Sequence, residues 1–250
     1  MIRLLIVFPL VLMVKQTNPS FKDTQLKNNR VKIAYEEKEG VTKGYFRDMK
    51  LNYSNFQLFI RAFKKEQKLE VWVSPRSGEE KNNTYTLLHT YDFCATSGTL
   101  GPKRKEGDSQ IPEGIYQITH FNPQSNFYLS LGINYPNASD KILSDPAHPG
   151  GNIYIHGNCV TIGCIPITDD KIKELYVLAV EARNNGQEKI PVHIFPDRLE
   201  SGVVEKLVEE YPADQTLINF WKNLQVVYLD FKTTNKLKVV KANKEGRYYF

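Results

Sequence analysis

The segment Ile155-His156-Gly157-Asn158-Cys159-Val160-Thr161-Ile162-Gly163-Cys164 constrains this chain more than any other. It sets a histidine and a thiol eight residues apart around two glycines, which let the backbone turn sharply on either side. Just before it, Asn152-Ile153-Tyr154-Ile155 is β-branched or aromatic at most positions and predicts a short strand that carries His156 at its end. No Asp or Glu lies between positions 146 and 168 to orient the imidazole, so the carbonyl of Gly157 is the expected partner of its second ring nitrogen. Asp169 and Asp170 follow Thr168, which predicts a helix start with Thr168 as N-cap and an apolar continuation to Val180.

A thiol next to a histidine is the equipment of a cysteine nucleophile, because the imidazole can take the thiol proton and hold it in an ion pair at neutral pH. Amides near Cys164 can then donate to a developing oxyanion. A metal centre competes for the same residues, since His148, His156, Cys159 and Cys164 fall close together in the chain. Their spacing contains neither a C-x-x-C knuckle nor a helical H-x-x-x-H pair, so no metal is assigned. His89, His120 and His193 sit in strand-like runs and have structural explanations.

The chain's 250 residues, 41% of them hydrophobic, bury one sizeable core. Its 13 prolines and 15 glycines punctuate short β runs through the middle. Mixed helical spacing near 24–38 and 53–66, and again over 203–210 and 215–229, predicts helical flanks, with Phe220 and Trp221 as core anchors and a closing strand pair around 237–249. Arg3 before the apolar run Leu4 to Val14 predicts export, as a signal peptide or an N-terminal anchor over 1–20; a buried N-terminal segment is the alternative. A net charge of +5 scattered among 28 acidic residues forms no basic stripe, which excludes a nucleic-acid track. Only Lys103-Arg104-Lys105 is dense, and it reads as an exposed turn. Cys94 reads as a packed core cysteine; the alternative is a Cys94–Cys159 disulfide that leaves Cys164 free.

The string IHGNCVTIGC followed by IPITDD resembles the signature of the L,D-transpeptidase catalytic domain, the YkuD family, and its YafK-like branch. LEVWV at 69–73, CATSGTLGPK at 94–103, EGDSQIPEGIYQI at 106–118, NPQSNFYLSLGINYPN at 122–137 and IPVHIFPDRL at 190–199 extend the resemblance over roughly residues 55–200. It implies an α+β fold: a mostly β, sandwich- or barrel-like catalytic domain over 55–200, a helical extension at 21–54, and C-terminal helices and a strand at 201–250 packed on the same domain. It further implies a nucleophile at Cys164, a base at His156, an orienting carbonyl at Gly157, and a turn built by Thr161 and Gly163, with no cofactor.

The implied partner is the peptide stem of bacterial peptidoglycan, with or without a wall-attached protein, met by an exported monomer in the periplasm or cell envelope. Most of the wider family carry an arginine two residues after the cysteine, where this chain has Pro166. Lys103 and Arg104 then become the first candidates for binding a substrate carboxylate, with His148 and Tyr154 as further contacts. Hydrolysis of a stem bond, transpeptidation between two stems, and a noncatalytic wall-binding module are the three functions in competition.

Overall fold

The protein is described by a computed structural model over residues 18–76 and 83–250. The expected signal or anchor lies almost wholly outside the described residues. Two N-terminal helices, α1 (Phe21–Gln25) and α2 (Asn29–Asp48), precede strands β1 (Phe56–Phe63), β2 (Lys68–Pro75), β3 (Thr86–Asp92), β4 (Gly114–Asn122) and β5 (Ser130–Ile133). After the short helix α3 (Asp140–Leu143) come β6 (Tyr154–His156), β7 (Ile165–Pro166), α4 (Asp169–Asn184) and β8 (Ile190–Phe195). The chain closes with α5 (Val203–Glu210), α6 (Gln215–Thr234) and the small hairpin β9 (Lys241–Ala242) and β10 (Tyr248–Tyr249).

The first eight strands form one sheet in the order β3-β2-β1-β8-β4-β5-β6-β7. Most neighbours are antiparallel, but β1 runs parallel to β8 and β6 runs parallel to β7. The fold is α+β with helices at both ends, as the sequence predicts. α4 lies on one face and carries α2 and α1 behind it, while α5, α6 and β10 cover the other.

This double cover explains the one misread element. Residues 53–66 were expected to be helical, and the structure makes Phe56–Phe63 the central strand β1 instead. All eight of its residues are buried. Leu58, Ile60 and Ala62 enter the α4 side, whereas Phe59 and Phe63 enter clusters on the α6 side. A strand apolar on both faces loses the alternation that identifies a half-buried one. Gln57 and Arg61 are its polar residues; Arg61 donates to Glu70 at 2.7 Å and lies beneath Trp72 and Phe231, so its charge is paired within the core.

The flanking helices otherwise follow the sequence. α4 begins where Thr168 Oγ1 accepts the Lys171 amide, and α6 begins where Asp214 accepts the Leu217 amide at 2.8 Å. Trp221 is fully buried and Phe220 nearly so, as anchors for α6. The N-terminal helical pattern runs on as far as Asp48, and the closing strand pair is shorter than expected.

Candidate active site

Strand β6 brings His156 to the edge of the sheet, and the parallel register pairs Ile155 with Ile165 and His156 with Pro166. One residue back along the same register, Cys164 falls level with Tyr154. Side chains two apart on a strand share a face, so Cys164 and His156 emerge on the same side of this edge. The eight-residue separation in the sequence is thus shortened to two adjacent strands by strand pairing.

Gly157 is required by close approach. A Cβ there would meet Asp169 Oδ1 at 2.5 Å and the Phe127 carbonyl at 2.9 Å. Asp169 Oδ1 instead accepts the Asn158 amide at 2.7 Å, so the first residue of α4 also fixes the chain just beyond the histidine. His156 itself is 1% exposed, with its ring stacked on Phe127 at 4.5 Å between centroids. Its Nδ1 lies 2.5 Å from the Gly157 carbonyl, as expected from the sequence. A carbonyl only accepts, so Nδ1 carries the hydrogen and Nε2 keeps its lone pair. That is the tautomer of a general base.

Cys164 is the free cysteine, and its Sγ lies 3.7 Å from the Asn152 carbonyl. Thr161 organises the turn before it. Its hydroxyl accepts the Gly163 amide at 3.1 Å and the Cys164 amide at 2.8 Å, and donates to the Cys164 carbonyl at 2.8 Å. Gly163 has φ +135°, and a Cβ there would press within 3.0 Å of the Gln110 carbonyl. One expectation changes here. The sequence offered amides near Cys164 as oxyanion donors, and those of Gly163 and Cys164 are both engaged by Thr161.

Burial decides the protonation of the pair. It pushes the Cys164 thiol above its ordinary value, against smaller downward effects from the Tyr154 backbone and the Lys103 charge. It pushes the His156 imidazole below its ordinary value, partly offset by the bond to Gly157. Both directions favour the neutral thiol with a neutral imidazole. The resting ion pair expected from the sequence is therefore disfavoured.

Cys94 and Cys159 form a disulfide with a Cα–Cα distance of 5.3 Å. The packed-thiol reading of Cys94 is thereby overturned in favour of the alternative. The Cys94 amide also donates to the Pro166 carbonyl at 3.0 Å, so the loop after β3 holds the turn that carries Cys164 from both sides. Among the described residues no group of three or more His, Cys, Asp or Glu side chains is placed to hold a metal ion.

The cationic loop is arranged differently from its sequence reading. Lys103 is 4% exposed rather than lying on an open turn. Its Nζ donates to Asp108 Oδ1 at 2.6 Å and to the Lys105 carbonyl at 2.8 Å. Asp108 also accepts the amides of Arg104, Lys105 and Gln110, so the loop winds around this one carboxylate. Arg104 points toward Asp140 at 3.3 Å and over the Phe220 ring at 4.9 Å. His148 is exposed on a turn in which its amide bonds Asp145. Tyr154 packs against Gly132 and His120.

Cys164 stands on the turn that Thr161 and Gly163 build, one strand from His156 and Gly157, with the Lys103 charge acting on its thiol, while Arg104 turns to Asp140 and His148 to Asp145. Phe127, Asp108 and Asn152 escaped the sequence reading. Only Asp108 left a signal there, as a carboxylate close behind a cluster of cations.

A family model described as YkuD, L,D-transpeptidase catalytic domain, matches residues 58–194. The chain is 33% identical over 193 residues to the "Putative L,D-transpeptidase YafK" of Escherichia coli strain K12, across 76% of this chain and 72% of that protein. The same figures hold for the protein of that name in Escherichia coli O157:H7. Among solved structures it is similar to the helical cell shape determining protein Pgp2 of Campylobacter jejuni, with a TM-score of 0.44, 17% identity, and coverage of 76% of this chain and 74% of that one. A point mutant of Pgp2 gives a TM-score of 0.43 at 19% identity, covering 70% of this chain and 60% of that one. Bd1075 of Bdellovibrio bacteriovorus gives 0.40 at 22% identity, covering 72% of this chain and 64% of that one.

Proposed function

The chain belongs to the family of L,D-transpeptidase catalytic domains, and from that premise we propose that it is a cysteine acyltransferase acting on the peptide stems of peptidoglycan. The observation that carries the reading is the free thiol of Cys164 on a turn held by Thr161, one strand from a buried His156 whose Nε2 is left as the accepting nitrogen.

The reaction follows from those groups. As substrate approaches, Cys164 Sγ attacks the carbonyl carbon of a stem amide while its proton passes to His156 Nε2. The C–N bond then breaks, and the imidazolium returns that proton to the leaving amine. A thioester remains on Cys164. Water or a second amine attacks it, and the thiolate departs with its electron pair and recovers a proton. Because burial disfavours both charges before substrate arrives, the proton moves during attack and not in the resting enzyme.

Hydrolysis is the favoured outcome of the second step. Pro166 stands where most of the wider family carry arginine, and Lys103 is already committed to Asp108. A substrate carboxylate therefore lacks the cation that aligns a stem for cross-linking in most of the family. The protein acts on the wall outside the cytoplasmic membrane, in keeping with the apolar N-terminal run.

Mass spectrometry of purified peptidoglycan fragments incubated with the wild type and Cys164→Ala, with and without an added amine, tests this. Cysteine-dependent loss of a stem residue or of a wall-linked peptide is expected. Cysteine-dependent dimers would replace hydrolysis with transpeptidation, and no cysteine-dependent product would leave a binding module.

A further inference from the structure

A cavity of about 520 Å³ opens between the loop that carries Lys103 and the C-terminal elements α6 and β9–β10. It begins one step from the nucleophile. Gln110 lines it, and the carbonyl of Gln110 is the group that a side chain at position 163 would strike. Leu217 and Phe220 of α6 supply an apolar floor, while Arg104, Glu245 and Arg247 bring charges of both signs to its rim. The α6 and hairpin wall lies beyond residues 58–194, the span matched by the family. One wall of the cavity thus lies outside the span the family matches, and the other within it.

Its two walls are joined beneath by a fully buried carboxylate. Glu113 accepts from the Gly101 amide at 2.7 Å on the loop side and from Trp221 Nε1 at 2.8 Å on the α6 side, and Lys64 neutralises it at 3.0 Å. A cleft braced in this way needs little ordering on binding. Among the described residues Arg247 makes no ion pair, so its guanidinium is available, whereas Arg104 is shared with Asp140.

From this placement we infer that the cavity is a second peptide subsite, which holds the part of the substrate on the far side of the scissile bond and engages its free carboxylate through Arg247. Glu245, exposed beside Arg247, suits an ammonium on the same arm, so the occupant is a zwitterionic peptide segment. The subsite supplies, from the C-terminal extension, the cation that position 166 lacks. The inference rests on the proposed reaction for its occupant, but not for its test.

The test is calorimetric binding of a stem tetrapeptide with a free C-terminal carboxylate, and of its C-terminal amide, to Cys164→Ala and to Cys164→Ala carrying Arg247→Ala or Lys32→Ala. Lys32 is an exposed control on α2. Loss of Arg247 is expected to weaken the acid about tenfold and to leave the amide unchanged, and Lys32→Ala is expected to change neither. Equal affinities for the acid with and without Arg247 would overturn the subsite. Circular dichroism and melting of each variant separate this from misfolding. If the peptide binds in an Arg247-dependent manner while wild type gives no cysteine-dependent product, the proposed reaction fails and the subsite stands.

Discussion

Cys94 is bonded to Cys159, which lies 65 residues away in the chain and five before the free thiol of Cys164. The covalent bond joins the loop after β3 to the turn that presents Cys164, and the Cys94 amide reaches past it to Pro166. Reduction therefore frees a turn on which the proposed chemistry relies.

The double variant Cys94→Ser, Cys159→Ser is expected to lose at least tenfold in turnover. It is also expected to lose roughly 4 kcal/mol of stability, the loop-closure entropy of a crosslink of this length. Chemical denaturation and fragment turnover measure the two effects. Unchanged turnover in a destabilised variant would confine the disulfide to a structural role.

Thr161 bonds the Gly163 amide and both the amide and the carbonyl of Cys164 through a single hydroxyl. Thr161→Val keeps the shape and removes all three bonds. About a hundredfold loss of turnover is expected, with rescue by Thr161→Ser and a shift in melting temperature of a few degrees. A Thr161→Val enzyme of near wild-type turnover would show that the turn holds without the hydroxyl.

Burial raises the thiol and lowers the imidazole, so little thiolate is expected at neutral pH. The rate of Cys164 alkylation by iodoacetamide should climb with pH through a midpoint above that of an ordinary thiol. Lys103 opposes this shift, so Lys103→Met should move the midpoint higher still. A rate plateau below neutral pH would reveal a resting ion pair and contradict this account.

Asp140 is buried against Tyr116 and Asn137, and burial lifts its carboxyl from 3.8 to about 6, with the Asn137 amide, Tyr116 and Arg104 holding it down in part. Between those values the folded protein binds more protons than the unfolded chain, so stability from this group is complete below about pH 4 and is lost as pH rises through 6. The loss amounts to roughly 3 kcal/mol. Asp140→Asn should flatten this slope, and its stability relative to wild type should grow from pH 4 to pH 7 in denaturant titrations. Parallel curves would mean that the carboxylate is fully compensated where it lies.

Much of this site is written in local chain chemistry. The partner of His156 Nδ1, the N-cap at Thr168, and helices α5 and α6 follow from short-range rules, because the groups that satisfy one another lie within a few residues. β1 was illegible because its two faces are buried by α4 and α6, both distant from it in the sequence, and no alternation survives. The exposed reading of Lys103 failed for a related reason. Its environment depends on Asp108 and on Gly150, whose missing Cβ leaves room beside the lysine, and the second lies far along the sequence.

The sequence by itself therefore determined which groups the proposed reaction draws on, since a thiol, an imidazole and glycines carry their chemical character wherever they fold. Tertiary structure decided how those groups stand at rest and which of them are free. It chose the partner of Cys94, withdrew the amides of Gly163 and Cys164 into a Thr161 turn, and set α6 beside the loop that carries Lys103. The reason is physical: burial, pairing and charge balance are properties of surroundings assembled from distant segments, and no local run of residues contains them.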